Sequence, residues 1–194
     1  MNNAVTMFEP FFETMIGQNT VKSFLLSRLQ QKNLPSSFLF IGAKGVGKTA
    51  MAQSLFFAIN QFSSLEEHQK HHQLLSQQSH PDFLLTLPQG TSIKIAQIKE
   101  IEEKLAISNR LARHRFVVLE QSELLTIEAS NALLKTLEEP PTATTFILET
   151  SQEEELLETI VSRCQALRFS PLQPEEVRTI ALQKYPDLTK EQLD

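Results

Sequence analysis

The amino-acid sequence predicts an α/β protein in which five parallel strands form one sheet with helices on both faces. The first observation is an alternation between short, continuous apolar runs and longer segments in which apolar residues recur three or four positions apart. That alternation is typical of parallel strands joined by helices. The second is a glycine-rich turn between the first apolar run and the next helix. With 41% hydrophobic and 21% charged residues among 194, the chain can build a buried core.

Each predicted strand is a short run of mainly apolar residues, which suits a strand buried on both faces. The predicted strands are Ser37–Ile41, Asp82–Leu87, Arg115–Leu119, Thr145–Leu148 and Gln165–Phe169. The predicted helices span residues 18–31, 49–60, 93–107, 127–138, 153–160 and 175–184. Pro140 and Pro141 end the helix at 127–138, because proline cannot continue a helix. Pro171 and Pro174 indicate a linker before the last helix.

Composition and charge exclude several classes of protein. No apolar run approaches the roughly 20 residues that a membrane-spanning helix needs, and residues 1–10 lack the basic and apolar regions of a secretory signal. The single cysteine, Cys164, excludes an internal disulfide and a cysteine-rich zinc site. We therefore expect a cytoplasmic protein. Because the net charge is −5, contact with nucleic acid would require a local basic patch.

Residues 61–79 are polar and rich in glutamine, histidine and serine, which predicts a peripheral insertion. Within it, the spacing of His68, His71 and His72 could place two imidazoles on one face of a helix. Two interpretations follow, a solvated helix and a zinc site. The many surrounding glutamine and serine residues favour the solvated helix, so we expect no zinc.

Residues 42–49 carry the strongest chemical signal in the chain. They match the pattern G-x-x-x-x-G-K-[ST], and they lie between a predicted strand and a predicted helix, as that motif requires. Glycines let backbone N–H groups surround phosphate oxygens, the lysine can reach the β- and γ-phosphates, and the final hydroxyl can ligate Mg²⁺. A tight turn that needs only glycine is the alternative, but it leaves Lys48 and Thr49 unexplained. The predicted phosphate-binding residues are Gly42, Ala43, Lys44, Gly45, Val46, Gly47, Lys48 and Thr49.

Glu120 and Gln121 follow the third predicted strand. A phosphate-loop hydrolase needs an acidic residue there to hold Mg²⁺ and a second residue to position the attacking water. Glu120 can coordinate Mg²⁺ together with Thr49, whereas Gln121 can bind a water but cannot take its proton. This pair predicts a site that binds a nucleotide and hydrolyses it poorly. A polar strand end without chemical function is the alternative.

Two segments give the sequence a resemblance to a known family. Residues 130–141, SNALLKTLEEPP, and the triplet Ser162-Arg163-Cys164 resemble the bacterial clamp-loader ATPases of the AAA+ class. Within that family the delta-prime type is the nearer match and the gamma/tau type the second. The resemblance continues at residues 16–18, 80–82 and 92–98. It implies an AAA+ core at residues 1–169, a truncated helical lid at 170–194, and ATP-dependent loading of a sliding clamp on primed DNA for DNA polymerase III.

The resemblance also implies roles for individual residues. Arg163 would be a finger that reaches the ATP of a neighbouring subunit, a role that suits its permanently charged, planar guanidinium. Glu120 and Gln121 would occupy the two positions at which the family's motor subunits carry an acidic pair. Further residues beside ATP would be Ile16, Gly17 and Gln18 at the adenine, with Thr150 and Ser151 at the γ-phosphate. Residues facing DNA would be Ser92, Lys94 and Lys99.

A second basic cluster, Arg110, Arg113, His114 and Arg115, is either a further DNA contact or a solvated charged loop. The implied partners are the gamma/tau and delta subunits in a hetero-oligomeric ring, the sliding clamp and primed DNA, with no membrane. ATP and Mg²⁺ are the implied cofactors.

Three features depart from the family pattern. Gln121 replaces the catalytic glutamate, residues 61–79 lack the four cysteines of the motors' zinc module, and the lid is short with no collar after it. One hypothesis is therefore a stator that binds ATP and supplies Arg163 to a neighbour. A second is a motor of the same family in which Glu120 or Glu123 is the base. A third is an ATP-sensing regulator outside replication.

Overall fold

The computed structural model describes residues 10–13, 15–107 and 110–185. Within them five strands form one parallel sheet in the order β2-β3-β4-β1-β5. The strands are Ser37–Ile41 (β1), Phe83–Thr86 (β2), Arg115–Leu119 (β3), Thr144–Thr150 (β4) and Gln165–Arg168 (β5). Every residue of β1, β3 and β4 is buried, as expected for parallel strands covered on both faces. The predicted fold class is confirmed.

The helices occupy the connections between the strands and the two ends of the described chain. They are Pro10–Glu13 (α1), Asn19–Gln30 (α2), Lys48–Asn60 (α3), Leu65–Ser76 (α4), Ile95–Ala106 (α5), Ile127–Glu138 (α6), Glu158–Val161 (α7) and Pro174–Lys184 (α8). Two short 3₁₀ turns lie at Ser122–Leu124 and Glu153–Glu155. No helix in these ranges is long and apolar enough to span a membrane.

The sheet divides the core into two layers, because successive side chains of a strand point to opposite faces. In β1, Phe38 and Phe40 join the layer formed by α1 to α4, whereas Leu39 and Ile41 join the layer formed by α5, α6 and α7. Phe56 lies at the centre of the first layer, with its ring edge-on to Phe83, Phe116 and His80. Because all five strands are parallel, the loops that lead from strands into helices meet at the carboxyl edge of the sheet. Ligands of open α/β folds bind at that edge.

Strand β4 extends further than predicted. It continues through Glu149 and Thr150, which pair with Phe40 and Ile41 of β1. A carboxylate therefore lies inside the sheet at the end of this strand, buried with the apolar residues before it.

The prediction of one continuous helix over residues 153–160 was wrong. The structure has a 3₁₀ turn followed by the short helix α7, because Leu156 and Leu157 adopt an extended backbone between them. Leu156 is buried in the second core layer, so the chain breaks its helix to insert that side chain.

The segment 61–79 forms α4, which Ser64 caps by accepting a hydrogen bond from the Glu67 backbone N–H at 3.1 Å. Most of α4 is exposed, as a solvated helix requires, but one face packs on the core through His71 and Leu75. The His68 ring stacks on Phe57 with centroids 4.4 Å apart, and the buried His71 ring stacks on Phe62 at 3.6 Å. Among the described residues, no group of three histidine, cysteine or acidic side chains could hold a metal.

His71 also contacts His80, with Nδ1 and Nε2 2.7 Å apart. The backbone N–H of Asp82 donates to Nδ1 of His80 at 3.0 Å. The proton of neutral His80 therefore lies on Nε2, from which it is donated to His71. Burial lowers the pKa of His80 to about 4, and the neighbouring His71 adds to that effect.

Two members of the predicted basic cluster, His114 and Arg115, make contacts within the fold. For these two residues, neither a DNA contact nor a solvated loop describes the structure. Arg115 is buried, and its Nε donates to Asp82 at 3.0 Å while Nη1 donates to the carbonyl of Leu105 at 2.7 Å. The His114 ring contacts the hydroxyl of Thr145 at 2.8 Å. Burial lowers the pKa of His114 to about 4. These side chains hold the β2 and β3 region together, and the buried Arg115 is not available to DNA.

Candidate nucleotide-binding site

The glycine-rich loop joins β1 to α3 at the carboxyl edge of the sheet. Gly47 has φ +97°, in the left-handed region that glycine adopts without strain. Gly42 is required for a different reason, since a Cβ at this position would lie 2.8 Å from Cβ of Phe169. A Cβ at Gly45, by contrast, would meet no atom within 4 Å. The loop is therefore tightly packed where it leaves β1 and open where it faces the cavity beside it.

That cavity has a volume of about 360 Å³. Its walls are the glycine-rich loop, the first turn of α3, the residues that follow β3 and the end of β4. The predicted residues that the structure brings together here are Lys44, Gly45, Gly47, Lys48, Thr49, Glu120, Gln121, Thr150 and Ser151. Glu123 and Glu149 also line it.

Lys48 begins α3 and is buried. Its Nζ donates to the carbonyls of Gly42 at 2.6 Å and Ala43 at 3.0 Å. Burial lowers the pKa of Lys48, while the nearby carboxylates of Glu149, Glu123 and Glu120 oppose that shift. The ammonium group is therefore held against the loop, at the start of a helix whose dipole favours anions.

Two carboxylates approach the hydroxyl of Thr49. Oε1 of Glu120 lies 2.7 Å from Thr49 Oγ1, and Oε2 of Glu149 lies 2.9 Å from it. Glu149 is only 3% exposed. Burial raises its pKa to about 7, with Glu120 adding to the rise and the Thr49 hydrogen bond opposing it. Carboxylate and hydroxyl oxygens are the kind of ligand that Mg²⁺ prefers. The residues present therefore fit a bound Mg²⁺.

The two residues predicted to sense the γ-phosphate already have partners in the chain. The hydroxyl of Ser151 donates to Oε1 of Glu123 at 2.9 Å, and the Thr150 hydroxyl accepts from the backbone N–H of Gln152 at 2.9 Å.

Gln121 has φ +53° and lines the cavity.

Gln18 lies away from the cavity and connects two segments. Its amide Nε2 donates to the carbonyls of Val46 at 3.2 Å and Ser170 at 2.7 Å, and its Oε1 accepts from the Ser170 N–H at 3.0 Å. It therefore ties the glycine-rich loop to the segment after β5. The adenine contacts of Ile16, Gly17 and Gln18 stay a prediction.

Arg163 lies on the surface, just after α7, and is not part of the cavity. Its Nε donates to Oε1 of Glu138 at 2.9 Å, and its Nη2 contacts the same oxygen. Nη1 donates to the carbonyl of Thr159 at 2.9 Å. The partly exposed guanidinium is therefore held by the end of α6 and by α7.

Of the predicted DNA-facing residues, Lys94 and Lys99 are exposed and Ser92 is half-buried. Lys94 occupies the N-cap position of α5, and Lys99 lies on the same helix.

Sequence reasoning missed Glu149. The signal was available, because a single acidic residue ends the apolar run Thr145–Leu148 and precedes Thr150. The shorter predicted strand placed Glu149 in a loop, where a carboxylate needs no explanation. Its burial follows from the length of β4, which the sequence pattern underestimated.

Comparison with known proteins finds relatives of this chain. The family model described as DNA polymerase III, delta subunit, matches residues 17–173. The chain is 35% identical to the DNA polymerase III subunit delta' of Bacillus subtilis (strain 168), over 82% of this chain and 50% of that protein. It is 32% identical to subunit delta' of Escherichia coli (strain K12), over 72% of this chain and 45% of that protein. The tau subunit of Bacillus subtilis (strain 168) is 29% identical, over 86% of this chain and 30% of that protein.

Among solved structures, a gamma subunit-related protein of Thermotoga maritima has 27% identity and a TM-score of 0.62, covering 89% of this chain and 51% of that one. The RuvB Holliday junction branch migration motor of the same organism has 16% identity and a TM-score of 0.61, with 87% and 50% coverage. That second likeness shows the fold alone. The chain spans about half the length of the two delta' relatives.

Proposed function

This chain belongs to the DNA polymerase III delta subunit family of clamp-loader proteins, and we propose that it is an ATP-holding subunit that hydrolyses ATP poorly. The observation that supports this proposal is the arrangement at the carboxyl edge of the sheet. An open glycine-rich loop, Lys48 and Thr49 lie beside Glu120, while the second position after β3 is Gln121. Phosphate and Mg²⁺ would have their ligands there, but Gln121 cannot remove a proton from water.

The test is titration of a fluorescent ATP analogue with Mg²⁺, with phosphate release followed in the same samples. We expect binding without release in the wild-type chain, and Lys48→Ala should lose the binding because the phosphate charge loses its nearest cation. The matched control is Lys99→Ala, which removes an exposed lysine away from the cavity. Equal binding by Lys48→Ala and wild type would overturn the proposal.

A motor of the same family is the second candidate function. Glu123 favours it, because this carboxylate lines the cavity and accepts a hydrogen bond from Ser151. In a motor, release of phosphate would depend on Glu123, and Gln121→Glu would change turnover little. In an ATP-holding subunit, Gln121→Glu would raise release, since it supplies the missing base.

We propose further that Arg163 acts in trans on the ATP of a neighbouring gamma/tau subunit. Its support is position and chemistry: the guanidinium is on the surface, outside this chain's own cavity, and Glu138 holds it by a partly exposed ion pair. Such a pair contributes only about 0–1 kcal/mol to stability. Arg163 could therefore leave Glu138 for a phosphate with little loss of free energy.

The ATPase rate of a reconstituted complex with gamma/tau and delta subunits tests this role. We expect Arg163→Ala to lower the rate by about 10³-fold at the site it serves. Glu138→Gln breaks the same ion pair but keeps the finger, so it should retain activity. If both variants behave alike, Arg163 has a structural role only.

The proposed function includes contact with DNA through two exposed lysines of the α5 region. Lys94 and Lys99 would meet the phosphate backbone of primed DNA near the start of α5, and a replication role places the chain in the cytoplasm beside the sliding clamp. Lys94→Ala with Lys99→Ala should weaken DNA binding and reduce its salt dependence. Lys104→Ala is the control, since Lys104 lies on the same helix and pairs with Glu100.

A further inference from the structure

We propose that Glu149, at the end of β4, is a Mg²⁺-binding carboxylate of the nucleotide site, together with Thr49 and Glu120. This inference deepens the proposed function and rests on it. The sequence pattern assigns the metal to Thr49 and Glu120 alone, whereas the structure brings a third oxygen-bearing side chain to the same point.

The spacing of the oxygens supports this assignment. Thr49 Oγ1 lies 2.7 Å from Glu120 Oε1 and 2.9 Å from Glu149 Oε2. Adjacent ligands of an octahedral Mg²⁺ are separated by about 2.9 Å, because each metal–oxygen bond is about 2.0–2.1 Å long. Both carboxylates therefore stand near the distance from the hydroxyl that a shared octahedral ion requires.

Hydrogen bonding alone leaves these oxygens incompletely satisfied. The Thr49 hydroxyl has one hydrogen, which it can donate to one carboxylate at a time. The other carboxylate then faces an oxygen lone pair. A divalent cation among the three groups removes that conflict, because all three can bind it through lone pairs.

The buried state of Glu149 is an independent observation. Its side chain is 97% removed from solvent, and its Oε1 has no hydrogen-bond partner although it lies in a wall of the cavity. A buried carboxylate oxygen without a donor is unfavourable unless a cation or proton compensates it. Nζ of Lys48 compensates it only through charge, since its hydrogen bonds go to the carbonyls of Gly42 and Ala43.

Glu149 and Gln121 both line the cavity but differ in charge. A carboxylate at position 121 would add negative charge to the site, and Gln121 supplies a neutral amide there instead. Strand β4 lies next to β3 in the sheet, so a glutamate at its end brings a charge to the same edge. The two carboxylates beside Thr49 therefore lie at the ends of neighbouring strands, Glu120 after β3 and Glu149 in β4.

Mn²⁺ is a suitable probe, because electron paramagnetic resonance measures its free concentration directly. The chain is titrated with Mn²⁺ without nucleotide, as wild type, Glu149→Gln and the control Glu155→Gln, which removes an exposed carboxylate outside the cavity. We expect Glu149→Gln to weaken Mn²⁺ binding about tenfold or more and Glu155→Gln to match wild type. Unchanged Mn²⁺ affinity in Glu149→Gln, or no Mn²⁺ binding by wild type, would overturn the inference.

A second measurement separates this inference from the proposed function. The fluorescent ATP analogue is titrated in excess chelator, where Glu149→Gln should bind as tightly as wild type or more tightly, since it removes negative charge near the phosphates. If analogue binding is normal and Mn²⁺ binding is unaffected, only the role of Glu149 fails. Failure of wild type to bind the analogue with Mg²⁺ present would contradict the proposed function. Should Glu149→Gln not fold, Glu149→Asp decides, because the shorter carboxylate keeps the charge but should still weaken Mn²⁺ binding.

Discussion

Individual residues at the mouth of the site are constrained by packing as well as by chemistry. Gly42 touches Phe169 so closely that any Cβ would overlap it, whereas Gly45 faces open space. The two glycines of one motif therefore have different physical roles, one in stability and one in ligand access.

Alanine substitutions separate these roles. We expect Gly42→Ala to lower the free energy of unfolding by about 1–3 kcal/mol, since the new methyl group must displace backbone or Phe169. Gly45→Ala introduces strain at φ +88° of about 1 kcal/mol but no clash, and it should impair binding of the ATP analogue. Chemical denaturation and titration of both variants check this. Equal stability of wild type and Gly42→Ala would contradict it.

The buried histidine His80 makes stability depend on pH. Its pKa in the folded chain is about 4, below that of an unfolded histidine near 6.5, so the unfolded state takes up a proton first as the pH falls. Its contribution is fully present above pH 6.5 and is lost progressively down to pH 4. The expected slope is about 1.4 kcal/mol per pH unit.

Denaturation at several pH values measures this slope. His80→Asn keeps a hydrogen-bond acceptor near the Asp82 N–H but cannot titrate, so its stability should fall less steeply between pH 6.5 and 4 than that of wild type. His72→Asn, which removes an exposed histidine of α4, is the control. Parallel slopes for His80→Asn and wild type would show that His80 is not responsible.

At the scale of secondary-structure elements, the edge of the sheet depends on a buried ion pair. Asp82 precedes β2 and Arg115 begins β3, and both are almost fully buried. Asp82 also accepts hydrogen bonds from the backbone N–H groups of Leu111 at 2.6 Å and Ala112 at 2.8 Å. One carboxylate therefore holds the α5–β3 connection against the sheet.

Removing that carboxylate leaves Arg115 charged and buried without its partner. We expect Asp82→Ala to lower the free energy of unfolding by about 3–5 kcal/mol. Glu153→Ala is a matched control, because it breaks the exposed pair with Arg168, and it should cost at most about 1 kcal/mol. Urea denaturation of the two variants distinguishes these magnitudes, and similar losses would contradict the importance of burial.

At the scale of the whole molecule, the site is assembled from three separate parts of the chain. The loop after β1, the residues after β3 and the end of β4 meet only when the sheet is formed. A ligand that binds them together should stabilise the fold as a unit.

ATP with Mg²⁺ should therefore raise the melting temperature. At about 100 times its dissociation constant, a ligand specific for the folded state adds about 2.7 kcal/mol. Differential scanning fluorimetry of wild type and Lys48→Ala, with and without ATP and Mg²⁺, measures the shift. We expect a shift in wild type only, and an equal shift in Lys48→Ala would contradict the assigned role of that lysine.

Local sequence pattern is enough to predict the fold class, because continuous apolar runs and the glycine-rich motif are signals that need no distant partner. It also located the loop at 42–49 and the polar residues after β3, since both lie next to strand ends in the chain. The family resemblance carried by residues 130–141 and 162–164 was confirmed by the comparisons.

The burial of polar groups and the contacts that they make depend on the assembled fold. The break at Leu156, the burial of Arg115 and His71, and the approach of Glu149 to Thr49 all depend on neighbours that are distant in sequence. Glu149 and Thr49 are 100 residues apart, and their contact exists because parallel pairing aligns the ends of β1 and β4. Local pattern carries no information on such contacts, since the energy that fixes them comes from packing across the sheet.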